Sequence, residues 1–194
     1  MFDKTAKITT LVLAGTLALA TPALSQTTDA SELTAEELEE LFNNQKTRGL
    51  VLAPAEDDET EAPADTGTTT VVADADDYVQ FDPSEQVNIQ ITFDFDSAAL
   101  REDQKPKLTT LCQVMNAVDV EVFRIVGHTD ASGSADYNER LSLLRAQEVK
   151  RFLVSDCGID ANRLEAVGVG ESFLFDQTDP NGDINRRVEF QALG

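Results

Sequence analysis

Val87, Ile89, Ile91, Phe93 and Phe95 alternate with Asn88, Gln90, Thr92 and Asp94. That is the period-two signature of a strand with one buried face, and it opens a folded domain near residue 86. A helix is predicted from about 102 or 105 to 117. Pro106 is acceptable in its first turn, and Leu108, Leu111, Cys112 and Met115 recur at helical spacing. The β-branched and aromatic run 120–126 predicts a second strand, ending at Gly127. A second helix is predicted over 135–154, capped by Ser134 or Asp136, with Gly158 just past its end. A third strand over 163–169, a loop rich in Asp, Asn, Pro and Gly over 171–183, and a final strand over 185–192 complete the pattern. The order βαβαβ-loop-β predicts an α/β (α+β) fold: a mixed four-stranded sheet covered by helices, with right-handed crossovers.

The stretch before residue 86 reads differently. Residues 34–42 predict a short amphipathic helix, with Thr34 and Glu37 as a capping box and Leu38, Leu41 and Phe42 on one face. So short a helix is not stable alone in water, so it docks on its own domain or on a partner, or forms only in part. Residues 46–52 are a brief mixed segment, read as a possible strand. Residues 53–85 predict a disordered acidic linker: they are poor in apolar residues and carry the run Glu56-Asp57-Asp58-Glu59. Lys4 and Lys7, the apolar run 8–20 and the small residues Ala23-Leu24-Ser25 predict a signal peptide over 1–25, too short in its apolar run to span a bilayer. The domains expected are thus 1–25, 26–52, 53–85 and 86–194, and no transmembrane segment is expected in the mature chain.

Charge narrows the partners. The chain carries 36 acidic and 15 basic residues, a formal net charge of −21. The excess is strongest between residues 26 and 85. Phosphate backbones and anionic leaflets recruit clustered Lys and Arg, so neither nucleic acid nor a lipid surface is an expected partner. Export to an oxidising compartment would let Cys112 and Cys157 form a disulfide, the alternative being two buried thiols.

On a helical wheel Asn138, Leu141, Ser142, Arg145, Val149 and Phe152 share one face of the second helix. The polar members fall in its N-terminal half, beside the turn that carries Asp130, where a core-facing stripe should be apolar. A guanidinium in such a stripe needs a partner. Asp130 is one candidate. A zwitterionic ligand is another, its ammonium on Asp130 and its carboxylate on Arg145 through paired hydrogen bonds.

Gly127-His128-Thr129-Asp130, then Ser132-Gly133, the run 137–146, Gly168-Val169-Gly170-Glu171 and Asn185-Arg186-Arg187-Val188-Glu189 together resemble the OmpA-like C-terminal domain of outer-membrane protein A, the Pal lipoproteins and MotB. The resemblance runs from about 87 to 192. It implies non-covalent binding of peptidoglycan through the diaminopimelate of its stem peptide, tethering the cell wall to the envelope. The family's aspartate falls on Asp130 and its arginine on Arg145, and Thr129, Asn138, Leu141 and Arg187 match further pocket positions. Arg186 is adjacent to the last. Many members have a proline soon after the Gly-x-Gly-Glu motif, where this chain has Ser172-Phe173-Leu174-Phe175, so the resemblance does not fix the shape of that loop. The expected location is the periplasm, associated with cell wall or outer membrane. The alternative is a periplasmic adaptor whose 34–42 helix recruits another envelope protein.

His128, Asp130 and Ser132 do not make an enzyme on this reading. A nucleophilic triad needs three groups converging beside an oxyanion hole, which positions i, i+2 and i+4 of one turn supply poorly. One histidine with scattered carboxylates falls short of a closed metal set. No enzyme activity, cofactor or metal is expected, and His128 is assigned to stabilising the turn.

Overall fold

A computed structural model describes residues 29–52, 78–94 and 96–194. The expected signal peptide, most of the expected linker and Phe95 lie outside the described residues. In chain order the elements are α1 (Ala35–Leu52), β1 (Val87–Ile89), α2 (Thr109–Ala117), β2 (Val122–His128), α3 (Ala135–Ser155), β3 (Leu164–Gly170) and β4 (Val188–Leu193). They form a four-stranded sheet of order β1-β4-β2-β3, with β2 and β3 parallel and β4 antiparallel to both of its neighbours.

The alternation in the strands sorts side chains to two faces. Ile89, Phe123, Ile125, Phe190 and Leu164 point to the face that the helices cover, where they join Leu38, Phe42, Leu111, Met115, Val149 and Leu153 in one core. The opposite face carries Val126, Val167 and Val169, closed over by Tyr78 with Phe173 against them.

The 87–95 alternation forms ladder only over Val87–Ile89, because β4 begins at Val188, the partner of Ile89. Beyond that point side chains take the backbone groups. Gln90 N–H donates to Asp29 (3.2 Å), Thr92 N–H donates to Gln104 (3.1 Å), and Lys107 donates to the Gln90 carbonyl (2.6 Å). The alternation still buries Ile91 and half-buries Phe93.

Residues 46–52 are helical, not a strand. The helix starts on the expected capping box, with Thr34 N–H donating to Glu37 (2.9 Å) and Glu37 N–H donating to Thr34 Oγ1 (3.3 Å), and once nucleated it propagates to Leu52. Its apolar face belongs to the domain: Leu38 and Phe42 have no exposure, and Phe42 meets Phe123 edge to face at 5.1 Å. Gln45 donates to the Glu85 carbonyl and accepts from Ala192 N–H. Leu38 and Phe42 are therefore covered by the chain's own core, and Leu41 is half-buried against it. Tyr78 is buried on the sheet and the Val79 carbonyl accepts from Gln191, although most of 79–84 is exposed, so the chain already meets the domain before residue 86.

Cys112 on α2 and Cys157, just past α3, are bridged, with Cα atoms 5.6 Å apart. Gly158 takes a φ of +70° to turn the chain out of α3, and Ile159 N–H donates back to the Leu153 carbonyl (3.1 Å).

Two stability changes follow. Phe42→Ala should cost about 3–5 kcal/mol, read as a drop in the urea midpoint, because it opens a cavity in the common core; an unchanged midpoint would mean that α1 is not part of the fold. Cys112→Ser should cost about 2–4 kcal/mol under oxidising conditions and nothing further when reductant is present in both samples.

Candidate ligand-binding site

The site grows from the junction of β2, β3 and α3. Gly127, Gly168 and Gly170 let the α3 backbone rest on the two strands: a Cβ on Gly127 would sit 2.1 Å from the Ser142 carbonyl oxygen, and one on Gly168 would sit 2.3 Å from Leu143 N. Ser142, fully buried, accepts from Gly170 N–H (2.9 Å) and donates to the Glu139 carbonyl (2.7 Å). Two of the polar residues on the wheel thus have structural work: Ser142 pins the helix to β3, and Asn138 donates to the carbonyls of Asp130 (3.3 Å) and Ser132 (3.1 Å) and to Glu171. Ser134 caps α3 by accepting from Tyr137 N–H.

Asp130 closes the turn by accepting from Ser132 N–H (2.9 Å), and its other oxygen accepts from Arg186 (2.7 Å). Burial pulls its pKa up, but the Arg186 and Ser132 hydrogen bonds outweigh burial and hold it below the ordinary carboxylate value. Arg186 is raised in turn, chiefly by its bond to Asp130, and also pairs with Asp183.

Arg145 is half-buried on α3, one turn beyond Leu141, which is also half-buried. Its guanidinium lies 4.7 Å from the centre of the Phe93 ring, and Nε donates to the Ser97 carbonyl (3.2 Å). It forms no ion pair among the described residues. Burial lowers its pKa, while the fields of Tyr137 and Asp130 raise it and that of Arg186 lowers it. Arg145 is therefore a desolvated cation within electrostatic reach of Asp130 but not bonded to it. The 96–97 turn beside it is held by Tyr137, whose hydroxyl donates to Asp96 (2.6 Å).

The remaining site candidates divide. Thr129 is buried between the strand ends, its N–H bonded to the Gly170 carbonyl and its hydroxyl enclosed without a hydrogen bond. Arg187 points away from Asp130 into the protein. It donates to Asn88 (3.2 Å) and to the Phe173 carbonyl (3.4 Å), stacks on Phe175, and lines a cavity of about 290 Å³ that contains neither Asp130 nor Arg145. The strand alternation through Val188 and Phe190 decides this: Arg186 and Arg187 must diverge, and Arg186 is the one that reaches Asp130. Arg186 is the site residue that the sequence left unresolved. Asn185 was not singled out either. Fully buried, it donates to the carbonyls of Asp176, Asp179 and Pro180 and accepts from Asp176 N–H, so it organises the 171–183 loop.

Residues 92–187 match the model of the OmpA family. This part of the chain belongs to the OmpA family. Over 109 residues the chain is 38% identical to outer membrane protein A of Bordetella avium, covering 55% of this chain and 56% of that protein. It is 35% identical over 109 residues to outer membrane porin F of Pseudomonas aeruginosa, covering 55% and 31% respectively. The chain thus spans about half or less of these relatives. A crystal structure of the peptidoglycan-associated lipoprotein from Burkholderia pseudomallei is 28% identical with a TM-score of 0.44, covering 52% of this chain and 86% of that one. OmpA-family domains are structural parts of the envelope, not enzymes.

Within the OmpA-family domain, His128, Asp130 and Ser132 do not converge. Ser132 donates to Asn181 (3.2 Å). His128 does not stabilise the turn as expected; it ends β2 on the face away from the helices. There its Nε2 lies 3.3 Å from Glu189. Burial lowers its pKa to about 4. The folded protein therefore binds fewer protons here than the unfolded chain between about pH 4 and 6.5. This contribution to stability is present above pH 6.5 and is lost as the pH falls toward 4, a change on the order of 3 kcal/mol. Comparing unfolding of wild type and His128→Gln across that range checks it: the variant should show the shallower acid slope, and parallel slopes would contradict it.

Proposed function

We propose that the OmpA-family domain binds peptidoglycan non-covalently through the diaminopimelate of its stem peptide, tethering cell wall to envelope from the periplasmic side. The observation that carries this reading is Arg145, a half-buried cation with no carboxylate partner among the described residues, placed within the field of a carboxylate, Asp130, that is kept ionised. A zwitterionic head group matches that pair. Its carboxylate would compensate the desolvated guanidinium, and its ammonium would take Asp130 Oδ2 in competition with Arg186. The family membership and the name of the Burkholderia pseudomallei lipoprotein, peptidoglycan-associated, point the same way. Among the described residues no helix is long and apolar enough to cross a membrane, and no group of His, Cys, Asp and Glu is arranged to hold a metal ion.

One zwitterion held by charge-assisted hydrogen bonds gives modest affinity, made effective by the many identical stem peptides on a wall. In a pull-down with insoluble peptidoglycan, Asp130→Ala and Arg145→Ala should each weaken binding by roughly 10- to 100-fold, the equivalent of about 1.5–3 kcal/mol per charged hydrogen bond. Full binding by the double variant with an unchanged circular dichroism spectrum would refute the assignment.

A further inference from the structure

The 171–183 loop touches the site on one side and a buried polar cluster on the other. On the site side, Glu171 accepts from Asn138, the Pro180 carbonyl accepts from Ala131 N–H (2.9 Å), and Asn181 accepts from Ser132. These bonds hold the turn that presents Asp130. On the far side, two residues after Glu171, the Phe173 ring meets Tyr78 edge to face at 4.7 Å, and the Phe173 carbonyl accepts from Arg187. Tyr78 is 6% exposed, whereas Val79 beside it is 54% exposed, so one aromatic ring is inserted from an otherwise open strand of chain. The Tyr78 hydroxyl donates to Glu189 (2.8 Å), and Gln191 donates both to Glu189 (2.8 Å) and to the Val79 carbonyl (2.9 Å). Glu189 also faces Arg187 (3.9 Å) and His128 (3.3 Å).

We propose that Tyr78 is a positioning residue for the ligand site: its ring, wedged between the sheet and Phe173, holds the 171–183 loop against the Asp130 turn. The inference rests on the reading of Asp130 and Arg145 as the peptidoglycan site. Removing the ring takes from Phe173 its aromatic partner and leaves it only the valines of that face, and because Phe173 and Glu171 are two residues apart, a shift at one is passed to the other. The Asn138 and Ala131 bonds then loosen and the Asp130 turn loses its back wall. The point where the acidic segment enters the domain and the point where ligand is held thereby behave as one unit.

The test uses the mature chain, peptidoglycan pull-down and amide hydrogen exchange on Tyr78→Ala, Tyr78→Phe and Asp130→Ala. Tyr78→Ala should weaken wall binding about tenfold. It should also speed exchange of the Ala131 amide at least about tenfold while the Ile125 amide in the central strand stays protected. Tyr78→Phe, which keeps the ring, should bind within about twofold of wild type. Wild-type binding by Tyr78→Ala, or loss of Ala131 and Ile125 protection in step, would overturn the positioning role. If Asp130→Ala abolishes binding while Tyr78→Ala binds fully, only this inference falls; if Asp130→Ala itself binds fully, the reading of the site falls with it.

Discussion

The backbone of α3 lies against β2 and β3 at a distance that admits no side chain at Gly127, Gly168 or Gly170. Most of what is functional hangs on that approach. It sets Asn138 level with the Asp130 turn and with Glu171, and it brings Arg145 to the same rim two turns later. Ser142 is the fastener: a larger or apolar residue there would either push the helix away or leave the buried Gly170 N–H unsatisfied, a loss of about 1–3 kcal/mol. The glycines of the Gly-His-Thr-Asp and Gly-Val-Gly-Glu runs are thus geometric requirements of the site, not loop flexibility.

Charge is divided between the two faces of the sheet. On the far face Glu189 is enclosed with Tyr78, His128, Gln191 and Arg187, each of which either bonds to it or approaches it. Removing one member of such a set leaves a buried charge exposed to apolar surroundings, which is more damaging than the set is stabilising. On the site face the charges are less enclosed. Asp130 already has a cation in Arg186, whose side chain is 40% exposed and can leave, whereas Arg145 has been desolvated without acquiring a carboxylate. Of the two groups proposed to receive a zwitterion, the free protein holds Asp130 masked by Arg186 and Arg145 open.

The fold was legible wherever periodicity had one cause. The β2, α3 and β3 segments follow from β-branched runs, a capped amphipathic pattern and their glycines, to within a residue or two. Legibility failed where tertiary partners decided. The first strand stops at Ile89 because β4 supplies nothing further to pair with, although the alternation continues to Phe93. Residues 46–52 lack a strand partner and simply extend α1. In the site, the wheel found Asn138, Ser142 and Arg145 together, yet it could not separate the pinning roles of Asn138 and Ser142 from the open guanidinium of Arg145. The choice between Arg186 and Arg187 depends on a strand register that only the paired sheet reveals, and Tyr78 gave no signal because its contacts, His128, Phe173 and Glu189 among them, all lie far from it in sequence.

The central claim is that Asp130 and Arg145 together receive a zwitterion carrying a free carboxylate. Calorimetric titration of the protein with free diaminopimelate, and in parallel with lysine, tests it most directly, since lysine lacks the second carboxylate. The account predicts saturable binding of diaminopimelate, lost in Arg145→Ala, with lysine weaker by about tenfold or more. Equal binding of the two ligands, or diaminopimelate binding that survives Arg145→Ala, would contradict it.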